Sequence, residues 1–288
     1  MMNCLERSMS VKMGKYARKE INALLHERIK RKEPIILGGA GCGLVAKIAD
    51  AAGIDIILAY NTGPFRMDGN PSGSGYQAYG DGNKITLELG RRLIPVVKNT
   101  PIIGGIGPGD PYKDIEKLME EMIEVGFSGI TNVPTTGVYS DAYRAALENA
   151  HAGYGAEIEL MEKCHKYDIF SVAYAFTQEE VRKVVAAGCD LVSPHVRGTS
   201  GGSVGIENVM SMEEACEKTQ KMYEAAVAEN PDVIVVCHGG PFSAPSDVQK
   251  AFDNTDVHGF IGASSIERLP VEREITKAVR AFSGLKIG

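Results

Sequence analysis

His195 and His238 are the residues of this 288-residue chain whose setting most suggests chemistry. Each follows a short apolar run, Asp190–Ser193 for the first and Val233–Cys237 for the second. Imidazole moves protons near neutral pH and ligates metals. A lone histidine is usually a hydrogen-bonded structural residue, but two on adjacent strand ends would share one rim. Both are therefore expected to be catalytic. The segment "HGGP" puts Gly239 and Gly240 directly behind His238, where bare backbone can turn sharply and approach a ligand. Gly262, Ser264 and Ser265 follow the next apolar run and complete a candidate cradle for phosphate or carboxylate. The alternative is that these glycines only make tight turns.

Other candidates lie on further glycine-rich segments. "GGAGCG" contributes Gly39 and Gly41. It lacks the full dinucleotide pattern, and no G-K-[ST] follows, so it is neither a Rossmann nor a P-loop signature. Asn61 and Arg66 follow the second apolar run, and Arg66 could hold a carboxylate or phosphate bidentately or form a loop salt bridge. Asp81, in "YGDGN", is the best acidic candidate for magnesium or for general-base work, with a helix N-cap as the competing role. Asn132 and Tyr174 could orient a substrate oxygen or satisfy loop carbonyls. Glu157 and Glu159 are two residues apart, too close in sequence to share a helix face. Glu267 and Arg268 could bridge to one another. Cys42 reads as a small apolar filler rather than an activated thiol.

The elements that must position these residues alternate regularly. Eight apolar runs rich in Ile and Val, with little polar alternation, occupy Ile35–Gly39, Asp55–Tyr60, Ile102–Ile106, Gly129–Val133, Ile169–Tyr174, Asp190–Ser193, Val233–Cys237 and His258–Gly262. Such runs are expected of parallel strands buried on both faces. Helical patterns lie between them, at Leu44–Ala52, Ile85–Val97, Ile115–Val125, Ala142–Leu147 with Ile158–His165, Glu179–Ala187, Met212–Ala228 and Val248–Phe252, and Val271–Phe282 closes the series. Thr177 with Glu180 and Ser211 with Glu214 have capping-box spacing. Asp110-Pro111 reads as an N-cap followed by proline, and Gly53, Gly126 and Gly188 sit where helices should stop. No run carries the charge or proline of a long exposed edge strand. The expected architecture is an α/β fold, a closed (β/α)8 TIM barrel with an extra N-terminal helix. Residues 1–33 form the extension and 34–288 a single barrel domain. The extra helix, over about 14–32, would plug the barrel bottom or serve a subunit contact.

Bulk properties narrow the function. Net charge is −6, which argues against nucleic acid as a partner but not against small anions held by local arginines. No apolar run is long enough to span a bilayer, and the first thirty residues lack a secretory pattern. Cys4, Cys42, Cys164, Cys189, Cys216 and Cys237 are scattered without C-x-x-C pairs, as expected of reduced thiols in a cytoplasm.

Several long motifs carry a resemblance: "YNTGPFRMDG", "GFSGITNVPTTG", "HAGYGAEIELM", "HVRGTSGGSVG", "VCHGGPFSAPSDV" and "GFIGASSIERLPVE". Together they resemble the phosphoenolpyruvate hydrolase-like TIM-barrel family, also described as the IGPS-like TIM-barrel domain. The same domain forms the C-terminal part of plant tobamovirus-resistance proteins. The likeness runs from about Pro34 to Phe282. It implies a barrel of the phosphoenolpyruvate/pyruvate-binding type. It also implies a metal-assisted hydrolase or lyase acting on a small anionic 2-oxo acid or enol phosphate, with a divalent metal, magnesium, as cofactor. A homo-oligomer is expected. The metal-binding acidic cluster of better-characterised enzymes of this type is not found at the strand ends. The alternative function is a ligand-sensing or protein-interaction barrel without turnover.

Overall fold

The computed structural model describes residues 14–288, so Cys4 and the first thirteen of the thirty residues read for a secretory pattern lie outside the described residues. Eight parallel strands close into one barrel in sequence order. They are β1 (Ile35–Gly39), β2 (Ile56–Ala59), β3 (Ile102–Gly105), β4 (Gly129–Thr131), β5 (Phe170–Ala175), β6 (Leu191–Pro194), β7 (Ile234–His238) and β8 (Gly259–Gly262). The ring shuts where β1 pairs with β8, Leu37 opposite Ile261. All eight expected runs are strands, and the (β/α)8 barrel is confirmed.

Helices surround the ring. In chain order they are α1 (Arg18–Lys30), α2 (Gly43–Ala51), α3 (Thr62–Met67), α4 (Gly82–Leu93), α5 (Ile115–Val125), α6 (Asp141–Asn149), α7 (Tyr154–Lys166), α8 (Gln178–Ala186), α9 (Met212–Glu229), α10 (Pro245–Asn254) and α11 (Arg268–Ser283). Two capping boxes form as the spacing predicts, Thr177 with Glu180 and Ser211 with Glu214. Gly53, Gly126 and Gly188 all take positive φ at or just past helix ends.

Three local expectations are corrected. Asp110 does not cap a helix; α5 starts later, behind Asp114, whose carboxylate accepts from Lys117 N. Asp110 is taken up by a tight turn, accepting from Tyr112 N at 2.9 Å and from Asn83 Nδ2 at 3.0 Å. The helix expected to reach Val97 ends at Leu93, and Ile94–Val96 tightens into a 3-10 turn around Pro95. The stretch after β2, read as continuous loop, contains the short helix α3.

One apolar cluster fills the barrel interior, with Leu37, Leu58, Ile103, Val172, Leu191 and Ile261 among its members. Ile21 and Leu25 of α1 join that cluster from below, so α1 plugs the bottom. Two arginine–aspartate pairs hold the plug. Arg28 Nε donates to Asp55 at 2.7 Å, and Arg18 Nε to Asp190 at 2.9 Å. Both aspartates also accept backbone N–H groups of the strand region, Ile36 N and Ser171 N. No helix among the described residues is long and apolar enough to cross a membrane. The cysteines among the described residues are all free.

Candidate functional site

At the C-terminal end of the strands, loops enclose a cavity of about 410 Å3. Its floor is made by residues that end the strands or follow them directly: Tyr60, Tyr174, His195, His238 and Ser264. Arg66 reaches the same floor from α3. That helix places Arg66 one turn beyond Thr62, whose hydroxyl accepts from Nη1 at 2.7 Å. Gly39 leaves room for the guanidinium; a Cβ there would stand 3.2 Å from Nη2 and 3.3 Å from the Tyr60 hydroxyl.

Arg66 is not a free anion receptor. Its guanidinium lies 2.5 Å from Glu267 Oε1, with side-chain exposures of 2% and 0%. Burial alone would lower the Arg66 pKa, but Glu267 and Tyr60 more than offset this and raise it. Glu267 also accepts from Gly41 N at 2.7 Å. Nη2 lies between this carboxylate and the Tyr60 hydroxyl, and the buried Tyr174 hydroxyl also bonds Tyr60, so the three side chains form one network on the cavity floor.

The two histidine rings stand 4.7 Å apart, edge to face. Their first nitrogens are fixed in opposite senses. His195 Nδ1 accepts from Arg197 N at 2.9 Å, so the neutral ring carries its proton on Nε2. His238 Nδ1 bonds the Ile261 carbonyl at 2.8 Å, so it is the protonated nitrogen and Nε2 keeps its lone pair. One ring thus offers a donor and the other an acceptor to the same cavity. Burial pushes the His238 pKa down to about 4, against the Ile261 bond, which acts to raise it. Burial, with His238, Lys218 and Arg197 nearby, holds His195 well below the usual imidazole value. Both are neutral at neutral pH. Phe176 stacks on the His195 ring at 4.6 Å.

Arg66, Tyr174, His195, His238 and Ser264 are thus brought together as the sequence suggests. The other candidates are not. Asn132 is saturated: Nδ2 donates to Glu157 and to the Tyr174 carbonyl, and Oδ1 accepts from Tyr174 N. It locks β4 to β5. Asn61 donates to the Gly75 carbonyl at 2.6 Å and lies behind the cavity wall. Gly239 has φ 83°, and a Cβ there would meet the Arg197 carbonyl at 2.0 Å. With Gly240 it packs the β7 turn against the β6 loop rather than against a ligand. Gly41 packs equally closely on the Gly63 carbonyl, and Gly262 on Ile266. Ser265 Oγ is buried without a partner, outside the cavity lining. The glycine cradle after β7 and β8 therefore contributes only Ala263 and Ser264 to the cavity. Arg268 does not bridge to Glu267; it pairs with Glu272 at 2.8 Å and donates to the Gly201 carbonyl at 3.0 Å, tying down the β6 loop. Cys42 is half-buried ahead of α2.

Asp81 lies in a neighbouring cleft, with Asp110 and Glu157. There its carboxylate caps α4, accepting from Lys84 N at 2.9 Å, and faces Lys113 at 3.5 Å. Glu157 is buried, with burial lifting its pKa to about 7 against the donors Thr136 and Asn132 that lower it. Magnesium requires several oxygen ligands, usually including carboxylates. The cavity is lined by no carboxylate. Among the described residues no three His, Cys, Asp or Glu side chains stand close enough to hold a metal ion. This donor set does not fit magnesium.

Tyr60, Phe176 and Arg197 are cavity residues that sequence reasoning passed over. The signal was available: Tyr60 and Phe176 lie at strand ends, and Arg197 is two residues beyond His195.

The chain is similar to known proteins over nearly its whole length. It is 38% identical over 264 residues to the ToMV susceptible protein tm-1(GCR26) of Solanum lycopersicum, covering 91% of this chain and 35% of that protein. The chain thus spans about a third of the length of the curated relative it matches. Among solved structures it is similar to phosphonopyruvate hydrolase in complex with oxalate and Mg++, with TM-score 0.53 and 18% identity over 92% of this chain and 89% of that one. It is also similar to oxaloacetate acetylhydrolase, with TM-score 0.58 and 16% identity over 95% and 89%. These likenesses carry the barrel fold. The pattern of phosphoenolpyruvate hydrolase-like proteins matches residues 20–285, and the chain belongs to that family.

Proposed function

We propose that the barrel is an enzyme that cleaves a small anionic 2-oxo acid, acting as a carbon–carbon lyase. The observation that carries this reading is the opposed pair of imidazoles, His195 offering Nε2–H and His238 a lone pair, across one cavity. In a retro-aldol cleavage of a 4-hydroxy-2-oxo acid, His238 takes the proton from the C4 hydroxyl. The C3–C4 bond breaks, an aldehyde leaves, and the electron pair moves onto the C2 oxygen as an enolate. His195 Nε2–H donates to that oxygen, and the Arg66–Tyr60–Tyr174 network presents its positive end to the carboxylate. Protonated His238 then returns its proton to C3, so no co-reactant is needed. No step runs through a metal. The substrates in the names of the structurally similar enzymes, phosphonopyruvate and oxaloacetate, are 2-oxo acids, which supports the substrate class.

The test is pyruvate release from a panel of 4-hydroxy-2-oxo acids. Activity should fall by about 10²-fold or more in His195→Ala and in His238→Ala, the usual contribution of a positioned acid or base. Full activity in the double variant contradicts the roles. A second reading, a ligand-binding barrel without turnover, is favoured by one observation, the burial of His238, which lowers its basicity. Tight binding of the acids with no product from any of them decides for it.

We propose further that the barrel works as a homo-oligomer held by α11. Ile275, Val279 and Phe282 recur at helical spacing there and are 59%, 57% and 75% exposed. Only Arg268 and Leu269 of that helix are buried. Unpartnered apolar stripes of this kind mark interaction surfaces.

A further inference from the structure

The cavity holds more than a three-carbon acid needs. Its volume of about 410 Å3 corresponds to roughly fourteen waters at ~30 Å3 each. The polar groups that would receive an oxo-acid head, Arg66, Tyr174, His195 and His238, sit together on the floor. The space beside them is walled by Val133, Val138, Phe176, Val204 and Ile206 from the β4, β5 and β6 loops. This wall is held in place. Arg268 and Glu272 tie the β6 loop through the Gly201 carbonyl and Ser203. Ile206 folds back so closely on Gly198 that a Cβ there would stand 2.3 Å from its Cδ1.

The charges lining the cavity are almost fully balanced. Arg66 is paired with Glu267, and Arg268 with Glu272. Both histidines are neutral. Arg197 at the mouth is the one lining cation without a salt bridge among the described residues. A ligand with several negative charges would leave most of them uncompensated in a partly desolvated site, which is strongly unfavourable. A single carboxylate leaves the smallest imbalance, Arg197 being the one lining cation without a salt bridge among the described residues.

From this we infer that the substrate is a monoanionic 2-oxo acid carrying an apolar arm, rather than a phosphorylated or dicarboxylic compound. The head group meets the floor donors, and the arm lies against the Val138–Phe176–Ile206 wall. This inference rests on the proposed reading of the cavity as the 2-oxo acid site and narrows its substrate class.

The test is equilibrium binding of a homologous series, pyruvate, 2-oxobutyrate, 2-oxohexanoate and 2-oxooctanoate, with phosphoenolpyruvate and oxaloacetate as the multiply charged comparison. Each buried methylene should tighten binding about fourfold, the equivalent of ~0.8 kcal/mol, until the cavity is full. Phosphoenolpyruvate and oxaloacetate should bind more weakly than 2-oxohexanoate. Val138→Asn and Ile206→Asn lie on loops outside the barrel strands. Each should flatten the length dependence while leaving pyruvate affinity within about twofold. If pyruvate binds but affinity does not rise with chain length, or phosphoenolpyruvate binds tightest, the substrate class is wrong and the site reading stands. If no 2-oxo acid of any length binds, the site reading itself fails and the inference falls with it. Length dependence that survives unchanged in both Asn variants also overturns the inference, because the arm would then lie elsewhere.

Discussion

At the scale of single residues, the decisive feature is how backbone contacts set the two imidazoles. An ordinary histidine titrates near 6.5 and would be half-charged in mildly acidic solution. Here the acid limb of kcat/KM, which reports the free enzyme, should lie near the His238 value of about 4. A limb near 6.5 would mean that His238 is not buried as described. The same shift makes stability pH-dependent. Between about 6.5 and 4 the unfolded chain binds a proton at this position and the folded chain does not, so stability is lost as pH falls through that window. The full loss from His238 is about 3 kcal/mol. Glu157, raised to about 7, works in the opposite sense between about 4.5 and 7. Urea unfolding across pH should therefore separate them: His238→Asn should remove the histidine's share of the acid loss and leave the Glu157 slope. An unchanged profile would show that His238 titrates alike in both states. His195 and His238 were legible in the sequence because each ends an apolar run. Their opposite tautomers were not, since these depend on Arg197 N and the Ile261 carbonyl, contacts made only after folding.

At the scale of elements, the site depends on two pieces that meet from far apart in sequence. Helix α3 brings Arg66, and the start of α11 brings Glu267. Removing either partner leaves a buried charge uncompensated. Arg66→Met or Glu267→Met should each cost about 3–5 kcal/mol in unfolding free energy, while the double variant Arg66→Met with Glu267→Met should recover much of the loss. Additive losses across that cycle would show that the pair is not coupled. The strands were readable because parallel strands covered on both faces have near-continuous apolar runs. Helix α3 was hidden because Gly63-Pro64 reads as a turn, yet proline is tolerated in the first turn of a helix. The glycines after β7 look like ligand contacts in the sequence, but the Arg197 carbonyl occupies the space a Cβ would need at Gly239. Sequence marks a close approach without naming what approaches.

At the scale of the whole molecule, α1 and α11 contrast. Helix α1 buries Ile21 and Leu25 in the barrel interior, whereas α11 leaves its apolar stripe in solvent. If that stripe forms the subunit contact, Ile275→Asp with Phe282→Asp should convert an oligomer to a monomer in light scattering without unfolding the barrel. A wild-type chain that is monomeric at micromolar concentration would contradict the oligomer. The alternation of elements made the closed ring legible from end to end. That the last helix would stand away from the ring was not legible, because its periodicity is the same whether the apolar face meets its own barrel or another chain.

The most direct test of the account is a titration of the protein, labelled with 15N at its histidine rings, with 2-oxohexanoate. The chain has six histidines. The Nε2 signals of His195 and His238 should shift along one saturation curve while those of His26, His151, His165 and His258 stay unchanged. Saturable binding that leaves His195 and His238 unmoved, or no binding at all, would contradict it.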